Sequence, residues 1–163
     1  MELMGTGEVI VQVRILLYVV LAMALGAIMG VERELEGKPA GLRTHMLVAG
    51  ATALFTALGY VMTGEYNSVL GSDLIKSDPV RVIQAVITGV AFLGAGTIIR
   101  SSSRDQVAGL TTAASILFTA AVGVCVALSQ IVLAVGATLL GLIILRLVGV
   151  GQRWMDRDRS SER

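Results

Sequence analysis

Between Gly30 and His45 the chain reads GVERELEGKPAGLRTH, six charged side chains and the protein's only histidine in one short stretch. Glu32 and Glu34 offer carboxylate oxygens, the ligand type that a hard cation such as Mg²⁺ takes. Glu32 and Glu36 would share a helix face, four residues apart. If any metal binds here, Glu32 and Glu34 are its candidate ligands. Arg33, Lys38 and Arg43 supply opposite charge. A buried Arg43 would need a carboxylate partner, and Glu32 or Glu34 is the obvious one. Thr44 and His45 open the apolar run that follows, and histidine can exchange a proton near neutral pH. The other reading of the same stretch is a charged helix end held among lipid headgroups, with His45 as a hydrogen-bonded anchor. Both readings stay open at this point.

A second polar block holds Arg100, three serines, Arg104 and Asp105, followed by Thr111 and Thr112. Hydroxyls and backbone amides at a helix start can bind an anion or phosphate. A capped helix flanked by arginines explains the block equally well. Neither block carries the His/Cys/Asp/Glu spacing of a transition-metal site. The chain has no nucleophile–base pair and no nucleotide-binding loop, so no catalytic residue is assigned and an enzyme is not expected. No resident cofactor is expected either, with Mg²⁺ only as a linked ion.

The elements that must position these residues follow from composition. Of 163 residues 55% are hydrophobic and 15% charged, with mean hydropathy +0.79. Soluble domains carry about 25% charged residues. The charges are also confined to short stretches between long apolar runs, so the fold class is an all-α polytopic membrane protein. A net charge of +1 gives no reason to expect nucleic acid as a partner. Cys125 stands alone in an apolar run and can form no intrachain disulfide. No small-residue cleavage site follows a short apolar stretch at the N-terminus, so the first run is expected to be a retained anchor.

Apolar runs place spans at Ile15–Val31, Met46–Thr63 and Val80–Ile99. Leu110–Val150 has no charge except Arg146; as one helix it would be about 60 Å long, against about 30 Å of hydrocarbon. It must fold back, and Ser129-Gln130 is the polar pair near its middle. The expectation is therefore five helices: a fourth span to Leu128 and a fifth from Ile131 to about Val150. Residues 1–150 form the membrane domain and 151–163 a charged tail. Five spans put nine basic residues on one side and three on the other, so the positive-inside rule predicts an outside N-terminus and a cytoplasmic C-terminus.

The two polar blocks echo each other at an offset of 68 positions. Leu25-Gly26-Ala27, Ala40-Gly41-Leu42 and Thr44 match Leu93-Gly94-Ala95, Ala108-Gly109-Leu110 and Thr112, seven identities in twenty aligned positions. This predicts a tandem parallel repeat of helix hairpins, with an additional fifth helix and a site where the repeats meet. Glu32, Glu34, Arg43, Arg100 and Asp105 would then converge at one mouth. Gly41 and Gly109 should occupy equivalent turns. Gly26 with Gly30, Gly89 with Gly94 and Gly96, and the Ala49, Ala53, Ala57 stripe permit close helix packing, within one chain or between copies in a homo-oligomer. Gly94-Ala95-Gly96 is also where a broken helix would expose carbonyls to an ion.

GVERELEGKPAGLRTHMLV, then TGVAFLGAGTIIR and VAGLTTAAS, resemble the MgtC/SapB family of bacterial inner-membrane proteins. The resemblance covers about Arg14 to Leu147. It implies a role in growth at low magnesium, in survival inside host macrophages (virulence) and in membrane energetics, with ATP synthase as a candidate partner complex. The label of magnesium transporter is historical in this family. Two positions depart from it: Ala108 stands where members often have a basic or polar residue, and Leu117 where they often have tryptophan. Many members carry a soluble C-terminal domain of the ACT type; 13 residues follow Val150 here, so regulation by such a domain is expected to be missing. The expected function is a non-catalytic membrane regulator. The alternative is a transporter or channel for Mg²⁺, another cation or a small solute, against which stands the scarcity of ionisable residues at mid-membrane.

The charge count yields a direct test. Single cysteines at Ser68 and Ser160, in a Cys125→Ala background, should label from opposite sides of the membrane. Labelling of both from one side would refute five spans.

Overall fold

The computed structural model describes residues 5–70, 79–101 and 109–161. Every regular element among them is a helix: α1 (Thr6–Leu35), α2 (Leu42–Leu70), α3 (Pro79–Ser101), α4 (Leu110–Ala127) and α5 (Ile131–Ser161). Four carry stretches long and apolar enough to cross a membrane: Gly7–Leu35, Leu42–Gly64, Val80–Ile98 and Leu110–Ala127. α5 adds the apolar stretch Ile131–Leu147. The expected five all-α elements are therefore present. Large apolar side chains such as Leu16, Val20, Phe92, Val132 and Leu140 face outward, as lipid contact requires.

The helices run further than their apolar stretches. α1 starts before Ile15 and continues through Glu32, Arg33 and Glu34, so this block is helix and not loop. Charged residues end a hydrophobic run, but Glu, Arg and Leu are good helix formers and keep the backbone ladder intact. What ends α1 is Gly37, at φ +64°. Its N–H donates to Glu34 O (3.0 Å) and Lys38 N–H to Arg33 O (3.0 Å), the paired bonds that close a helix over a left-handed residue. α4 ends the same way at Ser129 (φ 60°): Ser129 N–H bonds Val126 O at 2.9 Å and Gln130 N–H bonds Cys125 O at 2.8 Å. The hairpin expected at Ser129-Gln130 is thus the observed one. The Ser129 hydroxyl also meets Tyr18 Oη at 3.0 Å and ties this hairpin to α1. α5 continues past Val150 to Ser161, through most of the segment read as a tail.

α4 is the central helix and touches all four others. The core around it is built from small side chains. Ala22, Ala49, Ala53 and Ala134 pack with Leu25, Val122 and Val126, so backbones rather than bulky groups meet. A Cβ on Gly26 would lie 2.5 Å from His45 O and 2.9 Å from Ala49 Cβ. One on Gly30 would lie 2.7 Å from Leu42 Cα, and one on Gly123 would lie 2.5 Å from Ala49 O.

The repeat has a geometric counterpart. Gly26 of α1 rests on His45 of α2, and Gly94 of α3 rests on Ala113 of α4. Both pairs are related by the same offset of 68 as the sequence echo. Gly41 and Gly109 each precede a helix and accept its first backbone bond, from His45 N–H (3.2 Å) and Ala113 N–H (2.8 Å). The turns are not identical, because Gly109 is left-handed at φ +93° and Gly41 is not. The second crossing is also wider: a Cβ on Gly94 would find Ala113 Cβ at 3.4 Å. At the same offset Gly30 is matched by Ile98.

Gly89 and Gly96 have no neighbouring atom within 4 Å of a Cβ among the described residues, so of the two packing readings the one within the chain does not apply to them. The broken-helix expectation is corrected. α3 is continuous through Gly94-Ala95-Gly96, because the ladder from Pro79 to Ser101 is complete and no carbonyl is freed. α2 and α3 diverge instead around an apolar groove of about 820 Å³, whose lining includes Ala51, Phe55, Met62, Val82 and Val86.

Gly26→Ala and Gly123→Ala should therefore destabilise the bundle by about 1–3 kcal/mol through overpacking. Gly89→Ala should be neutral or slightly stabilising. Thermal unfolding in detergent, read by near-UV absorbance or aggregation onset, ranks the three.

Candidate functional site

The site lies where α1 ends, α2 begins and α4 passes. Residues i and i+1 of a helix do not normally face each other. Arg33 nevertheless folds back on Glu32: Nη2 donates to Glu32 Oε1 at 2.7 Å and Nε to Oε2. Their side chains are 4% and 7% exposed. The fork matches both carboxylate oxygens, the strongest form of such a contact. A buried pair of this kind roughly breaks even against apolar packing, whereas a lone survivor is costly. Glu32 is therefore held by Arg33 and not by Arg43, which is exposed. The nearer guanidinium, fixed by the same helix turn, takes the carboxylate first.

Glu34 has a different task. Its Oε2 accepts from Leu42 N–H at 2.8 Å, capping α2 from eight residues upstream. Gly41 makes this possible, since a Cβ there would lie 2.8 Å from that oxygen and 3.1 Å from Glu34 Cβ. The signal was present in the sequence: Pro39-Ala40-Gly41 supplies no Ser, Thr, Asp or Asn to cap the helix, so the cap had to come from elsewhere.

His45 is fully buried. Its Nδ1 is 2.9 Å from Gly41 O and its Nε2 is 3.1 Å from Ser115 Oγ of α4. Ser115 Oγ is in turn 2.8 Å from Thr112 O. The anchor reading is right that this ring is hydrogen-bonded. Its place, however, is inside the α1–α2–α4 junction and not among headgroups, because Gly26 and Gly30 bring α1 onto it. Thr112 is buried, Thr111 and Lys38 are exposed, and Thr44 is half-buried. Arg104, Asp105 and the side chain of Arg100 lie outside the described residues. The expected convergence of Glu32, Glu34, Arg43, Arg100 and Asp105 is thus corrected for its first three members. Glu32 and Glu34 are engaged separately, and Arg43 is exposed.

Below this cluster the α2–α4 contact continues as buried hydroxyls. Thr52, Thr56, Thr119 and, from α5, Thr138 are each at most 2% exposed. Thr119 Oγ1 meets Met29 Sδ at 3.6 Å and Thr138 donates to Ala134 O at 2.8 Å. Thr56 Oγ1 has no hydrogen-bond partner among the described residues. Ser115 and Thr138 were not singled out as site residues from sequence; a lone hydroxyl in an apolar run gives no signal of what it meets. Among the described residues no group of three or more His, Cys, Asp or Glu is placed to hold a metal ion.

A bundle of apolar helices with a buried ion pair and a buried histidine at one end of its core defines a multi-pass membrane protein. The chain belongs to the MgtC family, whose profile matches residues 19–154. It is 38% identical over 143 residues to a protein of Haemophilus influenzae, covering 88% of this chain and 59% of that one. It is 40% identical over 126 residues to the putative magnesium transporter YhiD of Escherichia coli K12 (77% and 56% covered). It is 38% identical over 120 residues to protein MgtC of Salmonella typhimurium (73% and 46% covered). The chain thus spans about half the length of these relatives. No solved structure gives a significant match.

The ion pair predicts a non-additive mutant cycle. Glu32→Leu alone strands a buried guanidinium and should cost about 3–5 kcal/mol, and Arg33→Met alone should cost about as much. The double variant should recover most of that loss, while Arg43→Ala should be near neutral. Unfolding free energies in lipid or detergent measure all four; additive single effects would show that the two residues act independently.

Proposed function

We propose that this protein is a non-catalytic regulator in the bacterial inner membrane, serving adaptation to magnesium limitation and membrane energetics. The observation that carries this reading is the commitment of the acidic groups. Glu32 is neutralised by Arg33 and one oxygen of Glu34 caps α2, so the two carboxylates do not form a paired site for Mg²⁺. The groove between α2 and α3 is apolar and suits lipid rather than an ion. Magnesium enters through the Escherichia coli relative, YhiD, named as a magnesium transporter, and virulence through the family resemblance. The excess of basic residues supports placing the Glu32–His45 face in the cytoplasm. There it would meet another membrane complex, of which ATP synthase is the candidate that the resemblance brings.

Transport remains the second reading, because one observation favours it. Thr56 Oγ1 is buried without a partner among the described residues, in line with Thr52, and the α2–α4 contact is lined with hydroxyls. A path for a proton or a small solute would need such groups.

Purified protein in proteoliposomes should give no Mg²⁺ influx above empty vesicles, read with an entrapped indicator. Complementation of a deletion strain at low magnesium should fail with Glu34→Ala expressed at matched level. Magnesium flux abolished by Thr56→Val would overturn the regulator reading in favour of transport.

A further inference from the structure

His45 is the chain's single histidine and is wholly buried, and neither the ion pair nor the α2 cap uses it. Its neighbours dictate where its hydrogens go. Gly41 O is 2.9 Å from Nδ1, and a carbonyl only accepts, so Nδ1 carries a hydrogen in every state of the ring. Ser115 Oγ is 3.1 Å from Nε2 and 2.8 Å from Thr112 O. That hydroxyl has one hydrogen and two acceptors within reach.

With a neutral ring, Nε2 is an acceptor and Ser115 donates to it. With a proton on Nε2, the ring donates to Ser115 Oγ, and the hydroxyl hydrogen turns to Thr112 O. No heavy atom has to move, and both ring nitrogens stay paired in both states. A buried anchor needs partners for one protonation state only. This one has a full set for two.

We propose that His45, Ser115 and Thr112 form a buried proton-binding site whose occupancy is reported at the junction of α1, α2 and α4. From α1 the charged groups facing it are Glu32 and Arg33, which together carry no net charge. On α2 the nearby Arg43 is exposed. α4 has no charged residue and presents the hydroxyls of Ser115 and Thr112. On α3 the side chain of Arg100 lies outside the described residues. On α5 Arg146 is exposed. A bound proton therefore adds one positive charge next to the guanidinium of Arg33, with the Glu34 carboxylate on the same α1–α2 turn beside Gly41. It also reverses the direction of the hydrogen bond joining the first hairpin to α4. The ligand is the proton itself, and the site works under either the regulator or the transport reading.

Having one histidine makes the test direct. The full chain, labelled with ¹⁵N-histidine and reconstituted in lipid bilayers, gives one imidazole spectrum by solid-state NMR. At pH 8 the hydrogen should sit on Nδ1 with Nε2 bare. Between pH 8 and pH 5, Nε2 should become protonated while Nδ1 stays unchanged. Ser115→Ala removes the oxygen that receives the Nε2 hydrogen and should weaken proton uptake about tenfold. The exposed Thr111→Ala should leave uptake unchanged. A neutral ring with its hydrogen on Nε2, an Nε2 that stays bare to pH 5, or the same midpoint in Ser115→Ala would each overturn the proposal. If Ser115→Ala does not fold, the wild-type spectrum alone still decides tautomer and uptake.

Discussion

Two glycines on α1 set the arrangement of everything at the polar end of the bundle. Gly26 and Gly30 let the α1 backbone lie directly on His45 and Leu42, closer than any side chain would permit. In lipid there is no hydrophobic force between helices, so this close approach is itself the main source of association. The ring of His45 follows from it, because a side chain under a helix contact without gaps has no route to water. Burial then obliges each ring nitrogen to find a partner, and those partners are Gly41 and Ser115. The Glu32–Arg33 pair is subject to the same constraint one turn further along α1. A membrane interior tolerates these groups only as a closed set of bonds.

The end of α1 is a single mechanical unit. Gly37 stops the helix by turning left-handed, and its two closing bonds use the carbonyls of Arg33 and Glu34. That fixes the direction in which both side chains leave the backbone. Arg33 is then within reach of Glu32, and Glu34 is aimed across the loop at the first amide of α2. Gly41 completes the device by leaving room for the Glu34 carboxylate. Every polar residue of the ERE block thus has a structural assignment. The charge density that marks this stretch in sequence serves to lock a helix–turn–helix junction, and His45 is the titratable group left over.

Much of the fold was legible from sequence. Apolar length alone gives the spans, and the Ser129-Gln130 pair locates the α4–α5 hairpin because no other polar break lies near the middle of that run. The small-residue pairs Gly26–Gly30 and Ala49–Ala53 mark faces for close helix packing, and the structure uses them at the α1–α2 contact. The site was legible only in part: Glu32, Arg33, Glu34 and His45 stand out by residue type, whereas Ser115 does not. Which carboxylate meets which arginine depends on rotamers and on the exact end of α1, and a hydropathy pattern carries neither. Arg43 looked like the natural partner of Glu32 because it opens a span. The structure pairs adjacent residues instead, against the usual helix geometry. Gly89 and Gly96 show the same limit: sequence gives glycine spacing but not whether the helix that uses it belongs to the same chain.

The internal repeat explains why the site is not symmetric. At the offset of 68, Gly26 corresponds to Gly94 and Gly41 to Gly109, so the framework of the hairpin is kept. Gly30 corresponds to Ile98, and the second crossing is wider. His45 corresponds to Ala113 and Leu47 to Ser115, while Glu32 corresponds to Arg100. Ala49, buried under α1, corresponds to Leu117, which faces lipid. The histidine therefore survives in one hairpin and its serine partner in the other. Their bond can form only once, and it forms where the tighter crossing excludes water. The echoed glycines keep the hairpin framework, and the His45–Ser115 bond joins the two halves beside the Thr119–Met29 contact, so a change in its protonation or pairing acts on the contact between them rather than within either one.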